Sequence, residues 1–589
     1  MVLPSIWRLA ALGWAAQVAG LPSNVQSGSL NTRQACTNTP TTRNCWSNGF
    51  SSSTDITTDW PKTGQTNTYD LRITNTTCSP DGHSTKMCQL INGQYPGPTI
   101  RANWGDRLRI VVHNDMPDNG TSIHWHGFRQ LNTCQNDGTN GITECPIAPG
   151  STKTYEFVAT QYGTTWYHSH HSAQYGEGVV GTVIIDGPTT ANYDVDLGTL
   201  PLTDWYYNQT WMLLSRVVNF GAVPQPDTIL VNGTMVDGAG NGHYQTLNVQ
   251  TGKKYKFRLI NTSVDQQLHV SLDNHPFTVV AADFVAIKPF NTTDLMIGIG
   301  QRYEVIITAD QAVDNYWLRV TSGTQCNGAP RIYGNTSLVV GGILHYEGAS
   351  SSNPTSTSFN ISTDCLDESF EPFVEHTVPS DTFASQLGEL DLSFDRTIIR
   401  WSIDGSPIDV DWERPTLDYV QDNDTAYTTS MRVFEMTQPN AWYFWVIRNF
   451  DGIPIPHPIH LHGHDFYKLG SGTGDFPGTI SALDFDNPIR RDVAMLPARG
   501  WLVIAMPADN PGAWLCHCHI AWHVSQGFGL QFLERKQDIL GAIGSLDSMN
   551  EGCIEWERYW DSPNRPYKKE DSGLRSVGPT DISGPGAGV

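Results

Sequence analysis

The sequence has little positive charge and no apolar run of transmembrane length after its N-terminal region. Only 16% of its 589 residues are charged, and 36 Lys and Arg are outnumbered by 59 Asp and Glu, which gives a formal net charge of −23. Such a chain has no basic stripe with which to neutralise phosphates, so the composition argues against nucleic-acid partners and anionic membrane surfaces. No segment after the N-terminal region has the ~20 consecutive apolar residues that a transmembrane helix requires.

The N-terminal residues have the pattern of an export signal. Within residues 1–20, Arg8 precedes an apolar run over 9–19 that ends in small residues. This pattern is typical of a cleaved secretory signal peptide, and the polar residues 21–33 predict a short propeptide. Asn-x-Ser/Thr triplets begin at nine positions: Asn75, Asn119, Asn208, Asn232, Asn261, Asn291, Asn335, Asn360 and Asn423. We therefore expect a secreted, extracellular and monomeric protein with N-linked glycans and no membrane anchor.

Helical periodicity is scarce along the chain. The 54 glycines and 35 prolines favour many turns, and alternating polar and apolar residues recur in runs such as 108–114, 254–261 and 442–450. Alternation with a period of two indicates strands with one buried face. Helical patterns occur mainly at 537–545 and 551–560. The sequence therefore predicts an all-β protein.

Two compositional breaks divide the chain into three domains. Residues 348–364 are rich in Ser, Thr and Pro, which is typical of a linker, and a weaker break lies at 186–196. The predicted domains are 34–190, 191–355 and 365–574. Each is long enough for a Greek-key β-sandwich, the usual architecture for many short strands separated by turns.

Four His-x-His pairs occur in the chain, two near each end. They are His124 and His126, His168 and His170, His460 and His462, and His517 and His519. On a strand, residues two apart point to the same face, so each pair can direct two imidazoles at one metal or at two neighbouring metals. A single pair could be a surface accident, but eight imidazoles exceed the four ligands of one zinc ion. The pairs therefore predict a polynuclear cluster of copper, zinc or iron.

The stretch AWLCHCHIAWH, residues 513–523, places a thiol between two of these histidines. If it is a strand, Cys518 points away from His517 and His519, toward a second metal on the opposite side. His523 and His457 can complete a His2Cys set, which is the ligand set of a blue-copper electron-transfer site. A short covalent path would then join this single copper to the cluster.

Four motifs resemble the signatures of the multicopper oxidase family, in the same order. They are HWHG (124–127), WYHSH (166–170), HPIHLHGH (457–464) and HCHIAWH (517–523). The resemblance covers residues 36–574. Within that family, the chain looks like the laccases of ascomycete fungi, because HCHIAWHVS is followed by a tail that contains DSGL at 571–574. The resemblance implies three cupredoxin-like Greek-key domains and four copper ions.

The resemblance assigns each ligand to a copper. It implies that His457, Cys518 and His523 bind the type 1 copper, and that His124 and His460 bind the type 2 copper. The implied ligands of the type 3 pair are His126, His168, His170, His462, His517 and His519. His171 and His464 adjoin the motifs without a ligand role in the family, and we interpret them as structural.

Three further residues receive roles by resemblance. Phe528 lies at the axial position of the type 1 copper, where a phenyl ring cannot coordinate and the potential should be high. Asp137 lies where an aspartate near the type 2 copper assists proton delivery, although Asn-Asp-Gly is also ordinary turn chemistry. Asp227 lies where an acid accepts the phenolic proton in the substrate pocket, although an exposed loop acid is nearly as good a reading.

The eleven cysteines are an odd number, so at least one is not in a disulfide. The resemblance implies the pairs Cys36–Cys45, Cys145–Cys553 and Cys326–Cys365. Cys78 and Cys88 can close a small extra loop. The pairing of Cys134 and Cys516 stays open.

The implied activity is that of a laccase. Phenols and aromatic amines would be oxidised one electron at a time near His523, an exposed edge of the type 1 site, and O2 would be reduced to water at the cluster. Lignin fragments, pigment precursors and plant defence phenols are all open as substrates. Within the same family, the alternative is an oxidase of ascorbate, bilirubin or Fe(II). Outside this family, the alternative is a non-catalytic copper-storage glycoprotein. The DSGL motif implies cleavage after Leu574, which removes 575–589 and leaves a C-terminal plug.

Overall fold

The structure, a computed structural model, describes residues 36–322, 326, 338–450 and 452–562. The predicted signal peptide, propeptide, DSGL site and removed extension lie outside the described residues. Six sheets occur in the described part of the chain, and none of them combines strands from two different thirds of the sequence. The all-β prediction is confirmed, and the sheets form three cupredoxin-like sandwiches.

The first sandwich contains two four-stranded sheets, β2-β1-β4-β6 and β3-β8-β7-β5. Its strands are β1 Thr66–Cys78, β2 Lys86–Ile91, β3 Gly97–Asn103, β4 Arg107–Asn114, β5 His124–Trp125, β6 Thr152–Val158, β7 Gly163–His168 and β8 Val180–Asp186.

The second sandwich contains the sheets β10-β9-β12-β17-β14-β15 and β11-β19-β18-β13-β16. Its elements are β9 Val195–Trp205, α1 Thr210–Phe220, β10 Thr228–Val231, β11 Gln245–Val249, β12 Lys254–Asn261, β13 Leu268–Leu272, β14 Phe277–Ala282, β15 Val285–Thr292, β16 Leu295–Ile297, β17 Arg302–Thr308, β18 Asn315–Ser322 and β19 Gly341–Tyr346.

The third sandwich contains the sheets β21-β20-β23-β28-β25-β26 and β22-β30-β29-β24-β27. Its elements are α2 Phe383–Gln386, β20 Leu387–Asp395, β21 Arg400–Ile403, α3 Thr416–Gln421, β22 Val433–Met436, β23 Trp442–Asn449, β24 His457–Leu461, β25 Phe466–Thr473, β26 Ile489–Arg491, β27 Val493–Leu496, β28 Gly500–Pro507, β29 Gly512–Cys518, α4 Ala521–Ser525, β30 Gly529–Glu534, α5 Lys536–Ile543 and α6 Asp547–Trp560.

The three sandwiches repeat one plan. The parallel pairs β1 with β4, β9 with β12 and β20 with β23 are equivalent, and so are β3 with β8, β11 with β19 and β22 with β30. It follows that β5, β13 and β24 are counterparts, and that β7, β18 and β29 are counterparts.

A buried asparagine ends the same strand in each sandwich. Asn114, Asn261 and Asn449 are the last residues of β4, β12 and β23. The Asn114 amide donates to the carbonyls of Asn119 and Ile147, and the Asn261 amide donates to those of Gln266 and Ile297. These side chains satisfy backbone carbonyls where the chain leaves the sheet, because a buried carbonyl without a donor is costly.

One predicted glycan site is wrong for this reason. Asn261 has no exposed surface, and both hydrogens of its amide are used inside the second sandwich. The triplet at Asn261 therefore reflects the structural asparagine at the end of β12, and the folded chain has no room for a glycan there. Asn335 lies outside the described residues.

The helices only partly match expectation. The two patterns at the C-terminal end correspond to α5 and α6, but α1 was not anticipated. Its sequence, TWMLLSRVVNF, contains a β-branched pair and no capping side chain, so local preference for a helix is weak. Burial of Leu213, Leu214 and Val217 stabilises it instead.

All eleven cysteines lie in the described residues. Disulfides join Cys36 to Cys45, Cys78 to Cys88, Cys145 to Cys553 and Cys326 to Cys365, as expected. Cys134, Cys516 and Cys518 are buried and outside any disulfide. The open question of Cys134 and Cys516 is thus answered: both are buried as thiols.

The predicted linker, 348–364, has no helix or strand, but its carbonyls accept side-chain hydrogens from β18. Trp317 donates to Pro354 O, and Asn315 donates to Ser350 O and Ser352 O. Farther on, Pro372 pairs with Ile287 of β15, so the chain still contacts the second sandwich here. No helix of the described residues is long and apolar enough to cross a membrane.

Candidate metal centre

The four His-x-His pairs meet between the first and third sandwiches. His124 on β5 pairs with His168 on β7, and His460 on β24 pairs with His517 on β29. The same strands in the second sandwich are β13 and β18, where β18 carries no histidine and both nitrogens of His269 on β13 are engaged by Asp294 and the Asp364 carbonyl. The repeated fold therefore presents facing histidine strands in the first and third sandwiches.

Imidazole nitrogens approach one another closely, both across this interface and within the third sandwich. His124 Nε2 lies 3.5 Å from His460 Nε2. His462 Nε2 lies 3.2 Å from His517 Nε2, with His170 in the same group. These two sets match the type 2 pair and half of the type 3 set implied by resemblance.

The other half of the type 3 set lies beside them. His126 Nδ1 lies 3.3 Å from His519 Nε2, and the His168 ring lies 5.4 Å from the His519 ring. In this part of the chain the structure brings together all eight histidines that sequence pairing indicated.

Carbonyl groups fix which ring nitrogen is available. The Nδ1 atoms of His124, His460, His517 and His168 lie 2.8–3.0 Å from the carbonyls of Asp137, Asp492, Cys518 and Ser169. A carbonyl only accepts, so each Nδ1 carries the hydrogen and each Nε2 keeps its lone pair for a metal. His126 is reversed, because its Nε2 faces the Asp492 carboxylate at 3.2 Å and leaves Nδ1 for the cluster.

Burial keeps these rings neutral. Desolvation first, and then repulsion between neighbouring imidazoles, lowers the pKa of His126, His168, His170, His460, His462 and His519 well below the ordinary value. Desolvation likewise lowers the pKa of His517 to about 4. Neutral imidazole is the form that binds metals, so the site is ready for ligation across the ordinary pH range.

Two carboxylates contact this cluster. Asp137 is fully buried; its Oδ2 lies 2.8 Å from His462 Nδ1, and its Oδ1 lies 3.3 Å from His124 Nδ1. It follows the short helical turn 134–136, and Gly138 after it has φ +83°, where a Cβ would collide with the Ile123 carbonyl. The Asn-Asp-Gly motif is therefore a turn, as composition suggested, and the turn delivers its aspartate to two histidines.

Asp492 is the second carboxylate, and sequence reasoning missed it. It lies between β26 and β27, takes a two-pronged ion pair from Arg302 of the second sandwich, and faces His126. No spacing signals it, because its partners are hundreds of residues away in the chain. It binds the second sandwich to the cluster formed by the other two.

A second, smaller group of ligands lies inside the third sandwich. Cys518 Sγ lies 3.5 Å from His523 Nδ1 and 3.8 Å from His457 Nδ1, and the two nitrogens are 3.2 Å apart. The rings of Trp401 and Phe528 pack on His457, at 4.9 and 5.2 Å. No sulfur or oxygen ligand takes the place of Phe528, which is 1% exposed.

His523 is not the exposed edge that was expected. It is only 5% exposed, and burial lowers its pKa well below the ordinary value. Trp401 covers it at 4.5 Å, and Gln526 ties the helix α4 to Val217 of α1 and to Ile399. The unexpected helix α1 and the β20–β21 turn therefore shield this histidine.

The strand β29 joins the two sites. Side chains at its end point alternately to opposite sides, so His517, and His519 just after the strand, lie in the histidine cluster. Cys518 lies in the smaller group, as the eleven-residue motif predicted. Cys518 is joined to each of these two histidines by a single peptide bond.

Asp227 lies near this site without contacting its ligands. Its carboxylate accepts the backbone N–H of Tyr207 at 2.8 Å. The neighbouring Tyr206 ring lies 6.0 Å from Trp522, which precedes His523. Asp227 is partly exposed, so it can exchange a proton with solvent or a ligand.

His171 and His464 have structural partners. His171 lies 3.2 Å from the Asn140 amide oxygen and packs on Trp412. His464 bonds the His462 carbonyl two residues back and pairs with Glu534 at 2.9 Å; burial lowers its pKa, but Glu534 outweighs this and raises it. His275, at the equivalent position before β14, also bonds the carbonyl two residues back, so this histidine belongs to the sandwich plan.

The residues present fit copper. Both sites offer buried nitrogen donors, and the smaller one adds a thiol. Buried atoms such as His168 Nε2 and Asp137 Oδ1 have no protein hydrogen-bond partner among the described residues. Groups of three donor atoms lie within 4.8 Å of one another. Soft and borderline donors of this kind suit copper, whereas magnesium and calcium need oxygen ligands.

Comparison with known proteins agrees with this chemistry. Three family models, each described as multicopper oxidase, match residues 72–190, 196–349 and 409–538. Laccase-3 of Botryotinia fuckeliana is 50% identical over 457 residues, which are 74% of this chain and 100% of that protein. A laccase of Neurospora crassa is 43% identical over 92% of this chain and 89% of its own. Among solved structures, the laccase of Botrytis aclada aligns with a TM-score of 0.85 at 40% identity, covering 92% of this chain and all of that one.

Proposed function

This chain belongs to the multicopper oxidase family, and we propose that it is a laccase. It oxidises phenols and aromatic amines one electron at a time and passes four electrons to O2, which becomes water. The single observation that carries this proposal is β29, whose Cys518 lies in one donor group while its neighbours His517 and His519 lie in the other. An enzyme that separates electron uptake from oxygen reduction needs such a connection.

The ligand assignment follows the geometry of the two donor groups. We assign His457, Cys518 and His523 to the type 1 copper and His124 with His460 to the type 2 copper. The type 3 pair takes His170, His462 and His517 on one side and His126, His168 and His519 on the other. When bound, four copper ions would supply the one-electron oxidation and the reduction of O2.

Phe528 sets the character of the type 1 site. Its phenyl ring lies 5.2 Å from that of His457 and would offer no lone pair to a copper held by His457, Cys518 and His523. A site that lacks an axial ligand favours the reduced metal, so we infer a high potential and a broad range of phenols.

The chain's own residues handle the protons. We assign proton delivery to Asp137, which touches His124 and His462 and is closed off from solvent. We assign acceptance of the phenolic proton to Asp227, whose partly exposed carboxylate accepts the N–H of Tyr207, next to the Tyr206 ring that lies 6.0 Å from Trp522. Trp401 and α1 cover His523 and exclude bulk water from it, so that a substrate can approach while the site stays dry.

Export and domain boundaries complete the proposal. Four disulfides are typical of an oxidising compartment, which supports secretion, a signal peptide over 1–20 and glycans at exposed triplets. The boundaries 34–190, 191–355 and 365–574 agree with the segregation of strands into three sandwiches. We further propose a monomer that acts on free phenols in the medium.

One comparison tests the proposed function. Secreted, copper-loaded protein should be blue, bind four copper ions per chain and consume O2 with 2,6-dimethoxyphenol much faster than with ascorbate or Fe(II). A preference for Fe(II) would contradict the laccase assignment and favour another oxidase of the same family.

A further inference from the structure

A groove with a cationic side chain lies beside the proposed type 1 site. It runs along the β20–β21 hairpin, has a volume of 330 Å³ and includes Arg400, Ser393 and Ser402 in its polar lining. Phe394 and Ile398 supply an apolar part of the same groove. Ile398 is 57% exposed, so this part is open to solvent.

Arg400 lacks the partner that a half-buried cation usually has. Among the described residues, no carboxylate oxygen lies within 4 Å of its guanidinium, and its one direct hydrogen bond goes to the Ser525 carbonyl at 3.4 Å. Burial lowers the pKa of Arg400, and Asp409 opposes this from a greater distance. A partly desolvated guanidinium without a counter-ion is stabilised by an anion that enters the groove.

The acidic side chain beside Arg400, Asp395, also lines the groove, but the backbone of the hairpin engages its carboxylate. Asp395 is the direct cross-strand partner of Arg400, but its carboxylate accepts the backbone N–H groups of Thr397 and Ile398. The two charges are therefore adjacent without forming an ion pair, and both residues line the groove.

The groove is close enough to the type 1 ligands for a bound ring to matter. Phe394 lies 4.8 Å from Trp401, and Trp401 lies 4.5 Å from His523. The Ser525 carbonyl that holds Arg400 lies two residues after His523. A carboxylate on Arg400 would thus hold an attached aromatic ring in the groove, near the exposed Ile398 and beside the segment that carries His523.

We propose that this groove binds the carboxylate of phenolic acids at Arg400, so that the protein oxidises such acids in preference to their neutral esters. The inference rests on the proposed laccase function and adds the substrate class. Its physical reason is specific to this chain: with a net charge of −23 the molecule as a whole repels anions, and Arg400 offsets that repulsion at one place. A guanidinium and a carboxylate can share two parallel hydrogen bonds, which also fixes the orientation of the ring.

The test compares 4-hydroxy-3-methoxycinnamate with its methyl ester at pH 6. In the wild-type holoenzyme, kcat/KM should be higher for the acid, and Arg400→Met should lower the acid-to-ester ratio about tenfold while leaving the ester unchanged. Arg400→Lys keeps the charge without the fork and should give an intermediate ratio. Arg396→Met is the matched control, because Arg396 is exposed in the same turn and does not line the groove.

Two further measurements separate binding from turnover. Asp395→Asn removes the competing charge and should raise the acid-to-ester ratio. Calorimetric titration with 3,4-dimethoxycinnamate, which has no phenolic hydrogen to lose, should give about tenfold weaker binding to Arg400→Met than to wild type.

The outcomes of these experiments distinguish failure of this inference from failure of the proposed laccase function on which it rests. If neither compound is oxidised, the laccase proposal fails and the inference fails with it. If both are oxidised and Arg400→Met keeps the wild-type ratio, the inference alone is wrong. If Arg400→Met does not accumulate, the wild-type protein provides the test. Its acid-to-ester ratio of kcat/KM should fall as the pH drops below about 4, where the acid loses its charge. A ratio that does not change with pH overturns the inference.

Discussion

At the scale of single residues, the role of a buried histidine depends on which group its second ring nitrogen faces. The Nδ1 atoms of His517 and His464 each donate to a nearby carbonyl. His517 Nε2 then faces another imidazole, whereas His464 Nε2 faces the Glu534 carboxylate. The first ring is open to a metal and the second is closed by an ion pair, although both lie in histidine-rich motifs.

Replacing the thiol tests the connection between the sites. Cys518→Ser keeps the size of the side chain but removes the only sulfur donor of the His457 and His523 group. We expect one copper fewer per chain, no blue absorption and loss of phenol-dependent O2 uptake, because electrons no longer enter. Metal analysis and visible spectra measure this. Cys516→Ser is the control, and a colourless, inactive Cys516→Ser together with a blue Cys518→Ser would contradict the assignment.

The buried asparagine gives a prediction on stability. Asn261→Ala leaves two backbone carbonyls without donors, so the free energy of unfolding should fall by about 2–4 kcal/mol, with no change in glycan mass. Asn360 is exposed, and Asn360→Gln should change stability by less than about 0.5 kcal/mol. Urea unfolding and mass spectrometry measure both effects. Loss of a glycan from Asn261→Ala would show that this asparagine is reached by solvent.

At the scale of elements, the strand β6 anchors the turn that carries Asp137. Lys153 pairs with Glu144 at 2.5 Å and lies 3.4 Å from the Gln135 carbonyl. Tyr155 donates to Glu144 and accepts the N–H of Ile123, next to His124. The buried ion pair of Lys153 with Glu144 thus connects β6 to the turn that carries Asp137 and to the segment before His124.

Breaking that pair should disturb the type 2 copper specifically. Glu144→Gln leaves the Lys153 ammonium uncompensated, which should cost about 3 kcal/mol of stability, and it loosens the turn of Asp137. We expect a changed electron paramagnetic resonance signal of the type 2 copper and slower reoxidation by O2, with the blue absorption retained. Glu177→Gln is the control, because Glu177 also forms a buried pair, with Lys86, but away from Asp137. Equal spectral changes in both variants would refute this role of Glu144.

At the scale of the whole molecule, buried charged groups of the second sandwich contact its neighbours. Asp196 and Glu304 surround Lys256 and Arg258, and Thr164 of β7 donates to Glu304. The histidine cluster also contacts such a pair, since Asp492 beside it pairs with Arg302 of the second sandwich. The assembly of the three units is therefore electrostatic as well as apolar.

This charge cluster predicts how stability depends on pH. Burial raises the pKa of Asp196 and Glu304, but Arg258 and Lys256 outweigh this and hold both pKa values below their ordinary range. Carboxyls with lowered pKa stabilise the fold above about pH 4, and this stability is lost as the pH falls through their folded values. Asp196→Asn should lose about 3 kcal/mol at pH 6, and its difference from wild type should shrink below about pH 3.

Unfolding midpoints of both proteins across the acidic range provide the measurement. Asp115→Asn is the control, because the pair of Asp115 with Arg72 is exposed and should contribute less than about 1 kcal/mol at any pH. A difference between Asp196→Asn and wild type that stays constant with pH would contradict the electrostatic origin.

The sequence by itself determined the strands and the eight paired histidines, because a period of two residues is a local property that backbone geometry converts directly into a shared face. The disulfide partners were implied by the family resemblance and were not determined by any local pattern. Only the tertiary structure decided that Asp492 and Trp401 join the sites, that His523 is covered by α1, and that Asn261 is inside. Each of these depends on groups far apart in the chain that packing brings into contact, and no local pattern encodes which distant partner a side chain will meet.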